Sequence, residues 1–568
     1  MKVEFMYIAD LHIHSRYSRA TSKDCTPEYL DLWARRKGIG ILGTGDFTHS
    51  AWREELREKL IPAEEGLYIL KDEYRLKDEY HPDQEGLDGT IAPRFVVSGE
   101  ISSIYKKNGK TRKVHSLILL PGLLEAELLS RKLETIGNIH SDGRPILGLD
   151  CHDLLEITLE LCPRSIYIPA HIWTPHFSLF GAFSGFDTIE ECFEDLTPHI
   201  HALETGLSSD PAMNWRWSAL DRFQLISNSD AHSPAKLGRE ANLLDIQLSY
   251  AGLWNAIQNG EGLKGTIEFF PEEGKCHYDG HRKCHVCLGP QEAEKYSGIC
   301  PVCGRKLTTG VSHRIEQLAD REEGFVFPGG RPFESLVPLS EVIAASLGCS
   351  PASVKARNQY EAMVRNLGSE FQILRELPVE DIRRASGYLI SEGIRRLREG
   401  KVERSPGYDG EYGTIKLFNR MEIENLDGQC CFLSADQAAS AETEKKSAGD
   451  KAGTGNAPLS ADPKAEQDEN ERGGNERNLC GPAEEKAKIG LAEEEAENPL
   501  NGRQQEAVTI VSRAVAVIAG PGTGKTKTLV ARAVYLLNER KVKASEMTAV
   551  TFTKKAAEEM RIRLEAAA

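Results

Sequence analysis

The sequence predicts an α/β protein: a β/α barrel, followed by smaller modules, a linker and a nucleotide-binding fragment. Three observations carry this. Over residues 1 to 270, short apolar runs alternate with helical-looking segments, the pattern of strands joined by helices. Those runs end repeatedly in His, Asp or Glu. Two later stretches carry a tight cysteine cluster and a glycine-rich loop, neither of which a barrel needs.

At 568 residues the chain has room for three or four domains, taking roughly 150 residues for each. Its formal net charge of −16 argues at first against a nucleic-acid partner. Residues 436–497, however, hold 16 acidic and 8 basic side chains and so supply half of that charge. The remainder is mildly acidic and has room for local basic faces. The N-terminus lacks the apolar core of a signal peptide, and no apolar run reaches membrane-spanning length. A cytoplasmic protein with no membrane partner is expected. The 13 cysteines, four of them clustered, suit a reducing compartment and a metal site better than a disulfide framework.

The first element is "KVEFMYIAD", followed by His12 and His14. In an extended chain, residues i and i+2 point the same way, so both imidazoles can reach one metal ion. Alone, this pair also describes a polar turn after a strand. The runs "IGILGTGD", "RFVVSGE", "SIYIPAH" and "FQLISNSDAH" then bring Asp46, Glu100, His171, and Asp230 with His232, while His115 lies inside "KVHSLILLP". A parallel β/α barrel builds its active site where strands end, so these residues converge on one mouth. His49 is less secure, since it can lie in the turn or helix after Asp46. Imidazole and carboxylate donors suit divalent ions such as Zn or Mn, with Mg also expected here. Such ions polarise a phosphoryl oxygen and acidify a water, which is the chemistry of phosphoester hydrolysis.

The segments "DLHIHS", "GTGD", "SGEIS", "KVHSLIL", "PAHIWTP" and "SNSDAH" resemble the signatures of the PHP family of metal-dependent phosphoesterases. The longer stretches "DLHIHSRYSRATSKD", "LETGLSSDP" and "SNSDAHSPAKLGRE" resemble the endonuclease Q family, repair nucleases that nick DNA 5′ of deaminated bases such as uracil and hypoxanthine. The resemblance spans approximately residues 1 to 420 and implies a PHP-type distorted β/α barrel. It also implies His12, His14, Asp46, Glu100, His115, His171, Asp230 and His232 as metal ligands, with Asp230, His232 and Glu100 catalytic. Glu204, in "LETGLSSDP", matches the pattern with its role open.

A nuclease directed at damaged bases must inspect a base outside the stack. The loop "IWTPHFSLFGAFSGF" after His171, with Trp173, Phe177, Phe180, Phe183 and Phe186, is one wall such a pocket would use. Aromatics at three-residue spacing are also how an amphipathic turn docks on a core, and that reading is favoured.

Cys284-x2-Cys287 and Cys300-x2-Cys303 have the spacing of a closed, structural zinc site made of four thiolates. Cys276, His277, His281 and His285 are read as bystanders. The zinc-ribbon-like module also matches the family resemblance, which assigns it to DNA binding. Behind it, Arg383, Arg384, Arg395, Arg396, Arg398, Lys401 and Arg404 offer either phosphate contacts or an ordinary solvated helix face, and the nearby nuclease-like segments tip the expectation towards DNA.

Residues 436–497 contain no Phe, Tyr, Trp or Val and cannot bury a core, so a disordered linker is expected over 431–497. After it, an apolar strand leads through Gly520, Gly522, Thr523 and Gly524 to Lys525 and Thr526 at the start of a helix. That is a phosphate-cradling loop for ATP and Mg²⁺. "LNGRQQEAV", with Gln504 at the adenine-reading position, and "VTFTKKAAEEM" resemble segments of UvrD/Rep-type helicases. With no following Asp-Glu pair and no second motor lobe in these 568 residues, the fragment is expected not to unwind DNA and to bind ATP weakly or not at all.

The expected domains are 1–270, the barrel; 271–312, the zinc module; 313–430, a helical DNA-binding region; 431–497, the linker; and 498–568, the helicase-like fragment. The expected function is metal-dependent nicking of DNA containing deaminated bases. Its rivals are a PHP-type small-molecule phosphatase and an ATP-binding repair scaffold without nuclease activity. Sequence names no protein partner.

Overall fold

The computed structural model describes residues 6–78, 92–419, 422–423, 502–510 and 525–543, with isolated positions 547, 560, 561 and 564. The chain divides into two compact units, Met1–Gly449 and Asp450–Ala568.

The first unit is organised by a mixed sheet. Strands β1 (Tyr7–Asp10), β2 (Ile41–Gly43) and β3 (Arg94–Lys107) run parallel in that order. The long strand β3 turns back into β4 (Lys110–Leu120), and β4 pairs antiparallel with β5 (Ile166–Pro169). Next come β6 (Ala202–Glu204) and β7 (Gln224–Ile226), a separate parallel pair. On the other side of β1, β8 (Ala241–Leu244) and β9 (Leu263–Glu268) continue antiparallel.

This departs from the wholly parallel barrel that the alternating pattern suggests. The reason is local: Asn108 and Gly109 adopt φ 53° and 73°, the two positive values of the tight turn that joins antiparallel strands. One consequence concerns Glu100. It sits inside β3, opposite Leu117 on β4, and not at a strand end.

The core explains why the downstream helices belong to the same unit. Leu339–Leu347, Val354–Leu367, Val379–Ser386 and Tyr388–Arg398 bury Ile343, Met363, Ile382 and Ile394 in one cluster with Ile8, Leu42 and Phe270 of the sheet region. A second cluster holds Phe47, Trp173, Phe180 and Phe186. Trp173, Phe180 and Phe186 therefore dock on the core, as an amphipathic turn does.

Most of the basic residues that the sequence offers over 383–404 are engaged inside the unit, while Arg383 lies over the Tyr388 ring. Arg395 pairs with Glu392 and Glu399, Arg396 with Glu392 and Glu422, Lys401 with Glu399, Arg384 with Asp381 and Arg404 with Glu272. Arg398 donates to the carbonyls of Ile373, Leu374 and Leu377. Acids at i±3 and i±4 neutralise this face, which favours the solvated-helix reading over a row of phosphate contacts.

In the second unit, Gly502–Thr509 and Lys525–Asn538 are helices. Arg532 donates to the carbonyls of Ala507 and Val508, tying the second helix to the end of the first. Gln504 lies in the first helix, and Lys525 and Thr526 open the second. Gly520, Gly522, Thr523 and Gly524 lie outside the described residues, as does the expected linker 431–497. Among the described residues no helix is long and apolar enough to cross a membrane.

Candidate metal centre

The segments leaving β1, β5, β6 and β7, together with the β3–β4 hairpin, meet at one place. Ile13 bridges to Ala231, which sets the stretch after β1 against the stretch after β7. His12, His14, Glu100 and Asp230 bring ligand atoms within 4.8 Å of one another. Glu100, His115 and His171 form a second such group. Glu100 belongs to both. Its Oε2 is 3.3 Å from His14 Nε2 and 3.7 Å from His12 Nε2, while Oε1 is 2.5 Å from His115 Nδ1 and 3.0 Å from His171 Nε2.

The backbone is bent to reach this arrangement. Asp46, His171 and Asp230 adopt φ of 49°, 31° and 48°, values that a non-glycine residue holds only when its surroundings impose them. Gly206, itself at φ +63°, lets β6 leave beside His171, because a Cβ there would meet His171 Cβ at 2.5 Å.

Tautomers are set from behind. His12 Nδ1 donates to both oxygens of Glu204 at 3.0 Å, which directs its Nε2 at Glu100 and Asp230. Glu204 also accepts from the His171 amide and from Asn228 Nδ2, each at 2.8 Å. Asp46 does the same for His14, accepting from Nδ1 at 3.0 Å and from Ser15 N, Ser15 Oγ and Ser18 Oγ. These bonds occupy the Asp46 carboxylate. The structure therefore puts Asp46 behind His14, outside both ligand groups, where the strand-end argument expected a direct ligand.

His232 is also outside both groups. Its ring lies 4.5 Å from that of His14, its Nδ1 donates to the Asp230 carbonyl at 2.8 Å, and its side chain is half-buried at the mouth. His49 donates to the His140 carbonyl and stacks on Tyr17.

Three buried atoms face one another without a well-angled hydrogen bond: Nε2 of His12, Nε2 of His14 and Oδ1 of Asp230, the last two 3.0 Å apart. Each such atom costs roughly 1–3 kcal/mol when left unsatisfied. Two imidazole nitrogens and two carboxylates converging this way fit a divalent cation. Charge follows the same layout. Burial works to raise the Asp230 carboxyl, but His14 and His12 outweigh it and hold the group below its ordinary range. Burial brings the His115 imidazole down to about 4, against the pull of Glu100.

Sequence reasoning missed Arg144, whose NH1 lies 3.0 Å from Glu100 Oε2 with the side chain 27% exposed. Nothing in "SDGRP" announces it. The placement of Glu204 behind His12 was also not legible, although its carboxylate in "LETG" ends strand β6.

The cysteine module differs from its expected ligand set. Cys284, Cys300 and Cys303 gather with His281, and Cys287 is not in the group. Strand β10 (Asp279–His281) pairs with β11 (Val286–Leu288), setting Gly280 opposite Cys287 and His281 opposite Val286. Side chains alternate along a strand. His281 thus shares a face with Val286, which packs on Cys300, while Cys287 turns to the other face, its Sγ 3.9 Å from the Pro406 carbonyl. His281 Nδ1 is 3.4 Å from Cys303 Sγ. His281-x2-Cys284 was the available signal.

Comparison with known proteins gives this geometry a family. The MJ0043 C-terminal domain family matches residues 338–401, and the UvrD/REP helicase N-terminal domain family matches residues 500–568. The protein YqxK of Bacillus subtilis is 30% identical over 425 residues, covering 72% of this chain and 98% of YqxK. MJ0043 of Methanocaldococcus jannaschii is 30% identical over 295 residues, 49% of this chain and 36% of MJ0043. The chain thus spans about a third of that relative, and about a tenth of the Rep helicase of Buchnera aphidicola, with which it shares 45% identity over 65 residues. Among solved structures, the lesion-specific endonuclease PfuEndoQ of Pyrococcus furiosus aligns with a TM-score of 0.63 at 29% identity, covering 75% of this chain and all of that one. Endonuclease Q in complex with a 27-mer duplex substrate, an abasic lesion at its active site, aligns with a TM-score of 0.63 at 30% identity over 76% of this chain and all of that one. The chain belongs to the endonuclease Q family of hydrolases and carries a segment of the UvrD/Rep helicase N-terminal domain behind it.

Proposed function

We propose that the chain is a metal-dependent DNA endonuclease that cuts the phosphodiester 5′ of a deaminated base, uracil or hypoxanthine. The observation that carries this is the pair of ligand groups sharing Glu100, in a chain whose solved relatives include a lesion-specific endonuclease and one bound to damaged duplex. His12, His14, Glu100 and Asp230 would hold one divalent ion, Zn, Mn or Mg, and Glu100, His115 and His171 a second. When bound, such ions supply Lewis-acid polarisation of the phosphoryl oxygen and a more acidic water.

The chain's own groups do the rest. Glu204 and Asp46 fix the tautomers of His12 and His14. Arg144, partly exposed beside Glu100, is the cation for a phosphate oxygen, binding the scissile group and offsetting its charge. His232, with Nδ1 spent on the Asp230 carbonyl, presents Nε2 at the mouth.

A structural zinc at His281, Cys284, Cys300 and Cys303 follows from their grouping. Residues 1–270, 271–312 and 313–430 would act as catalytic, zinc and helical parts of one cytoplasmic enzyme, with 431–497 as linker. ATP with Mg²⁺ would bind the 498–568 segment through Gln504, Gly520, Gly522, Thr523, Gly524, Lys525 and Thr526.

The test is nicking of an end-labelled duplex bearing one deoxyuridine or deoxyinosine, with Mg²⁺ or Mn²⁺, beside an undamaged duplex. A cut immediately 5′ of the lesion and none in the undamaged duplex is expected. Release of phosphate from small phosphomonoesters, with no cut in DNA, overturns the reading in favour of a phosphatase.

A further inference from the structure

The loop after His171 sorts its aromatics in two directions. Trp173, Phe180 and Phe186 are at most 1% exposed. His176 and Phe183 instead face solvent, Phe183 with 51% of its surface free, and their rings stack at 4.7 Å with an interplanar angle of 17°.

The platform is held rigidly. Phe183 N donates to the Pro175 carbonyl, Gly185 N to Gly181 and Phe186 N to Leu179, at 3.1, 2.9 and 2.7 Å. From beneath, the Arg314 guanidinium donates to the carbonyls of Phe180 and Phe186, both at 3.0 Å. The platform is also tied to the metal centre. Phe177, next to His176 in the chain, takes φ 59°, accepts the His115 amide on its carbonyl at 3.2 Å and packs its ring 4.9 Å from the His115 imidazole. Lys113 Nζ stands 5.1 Å from the centre of the Phe177 ring, a cation within reach of the same surface.

We infer that the His176–Phe183 stack is a positioning device for duplex substrate: it lies against the base next to the lesion and holds open the gap left when the target nucleotide leaves the helix. The inference rests on the endonuclease reading. A flat, preordered aromatic pair offers a π-face to any base regardless of sequence, and it stands one residue from a ring packed on His115. Unstacking a nucleotide is costly in a duplex and nearly free in a single strand, so the device matters for one substrate form and much less for the other.

The experiment compares nicking of one deoxyuridine oligonucleotide, annealed and single-stranded, by the wild type and by Phe183→Ala, His176→Ala and Phe183→Trp, with metal content and melting temperature measured on each. Phe183→Ala is expected to lower duplex nicking about tenfold or more relative to single-strand nicking, from the loss of about one base stack. His176→Ala is expected to lower it less, and Phe183→Trp to retain the wild-type ratio. A duplex-to-single-strand ratio unchanged by Phe183→Ala, in a wild type that nicks, overturns this inference alone. A wild type that nicks neither form overturns the endonuclease reading and this inference with it.

Discussion

The metal centre and the cysteine module are both clusters of metal-capable side chains, yet they are built in opposite ways. The first joins residues far apart in the chain: His12 and its orienting partner Glu204 are 192 positions apart. Its atoms are almost wholly buried, and two of its ligands, His171 and Asp230, stand on backbone at positive φ. The second spans 22 positions between His281 and Cys303, sits on a short hairpin, and leaves Cys303 exposed. A centre assembled by the whole sheet has its ligands pre-positioned by the fold. A local cluster with a small core of its own needs the metal to hold its shape.

Metal loss should therefore act differently at the two sites, and the largest effect is expected at the first. Asp230→Ala removes one of two carboxylates from the His12–His14 group while leaving the sheet intact. Nicking of a lesion-bearing duplex should fall by about a thousandfold or more, with little change in melting temperature. A melting drop as large as the activity loss would mean that the first cluster, too, is held together by its ion.

Glu204→Gln sharpens the same point from behind the ligand. Gln can still accept one hydrogen bond from His12 Nδ1, but the carboxylate charge is gone. Affinity for the divalent ion, titrated by calorimetry, should weaken by about 10- to 100-fold, with activity restored by added metal. If excess metal restores nothing, Glu204 acts on the substrate and not on His12.

For the local cluster the informative pair is His281→Ala against Cys287→Ser. The first should lose the bound zinc, measured by elemental analysis, and the second should keep it. Zinc loss in Cys287→Ser with retention in His281→Ala would return the ligand set to the four cysteines that the spacing suggested.

The difference between spacing and geometry at this module marks what sequence can and cannot deliver. The doubled histidines at 12 and 14 were legible because a two-residue spacing has one geometric meaning in an extended segment. Cys287 misled because the same alternation, applied to β11, turns it away from His281, and the register of a short hairpin is not written in a Cys-x2-Cys count. Asp46, expected as a ligand from its place after a strand, lies beside the centre, on His14 Nδ1. Whether it touches the ion or orients His14 depends on Ser15 and Ser18 filling its oxygens, which no spacing records. Glu100 was found, but its position in the middle of β3, and hence its sharing between two groups, follows from a hairpin that the alternating pattern hid. Arg144 comes from a loop with no periodicity.

Beneath the metal centre, Glu268 offers the smallest and most specific test of how rigidly the sheet holds its ligands. It is fully buried. Burial pushes its carboxyl up to about 7, against the hydroxyls of Ser227 and Thr266 that favour its charge, and Asp210 adds to the rise. Ser227 and Thr205 bond to Glu268 and to each other, and Asn242 links Ser227 to Asn228 and so to Glu204. Because the folded state keeps this proton to a higher pH than the unfolded chain, folding binds protons between the ordinary value of 4.5 and about 7. Stability from this group is therefore complete below that window and lost as pH rises through it. Gln in its place mimics the protonated form at every pH. Melting temperature should then decline less between pH 5 and pH 8 in Glu268→Gln than in the wild type, by roughly a few degrees. If the two pH profiles coincide, Glu268 is charged in the folded protein throughout, and the network leading to Glu204 carries a buried negative charge.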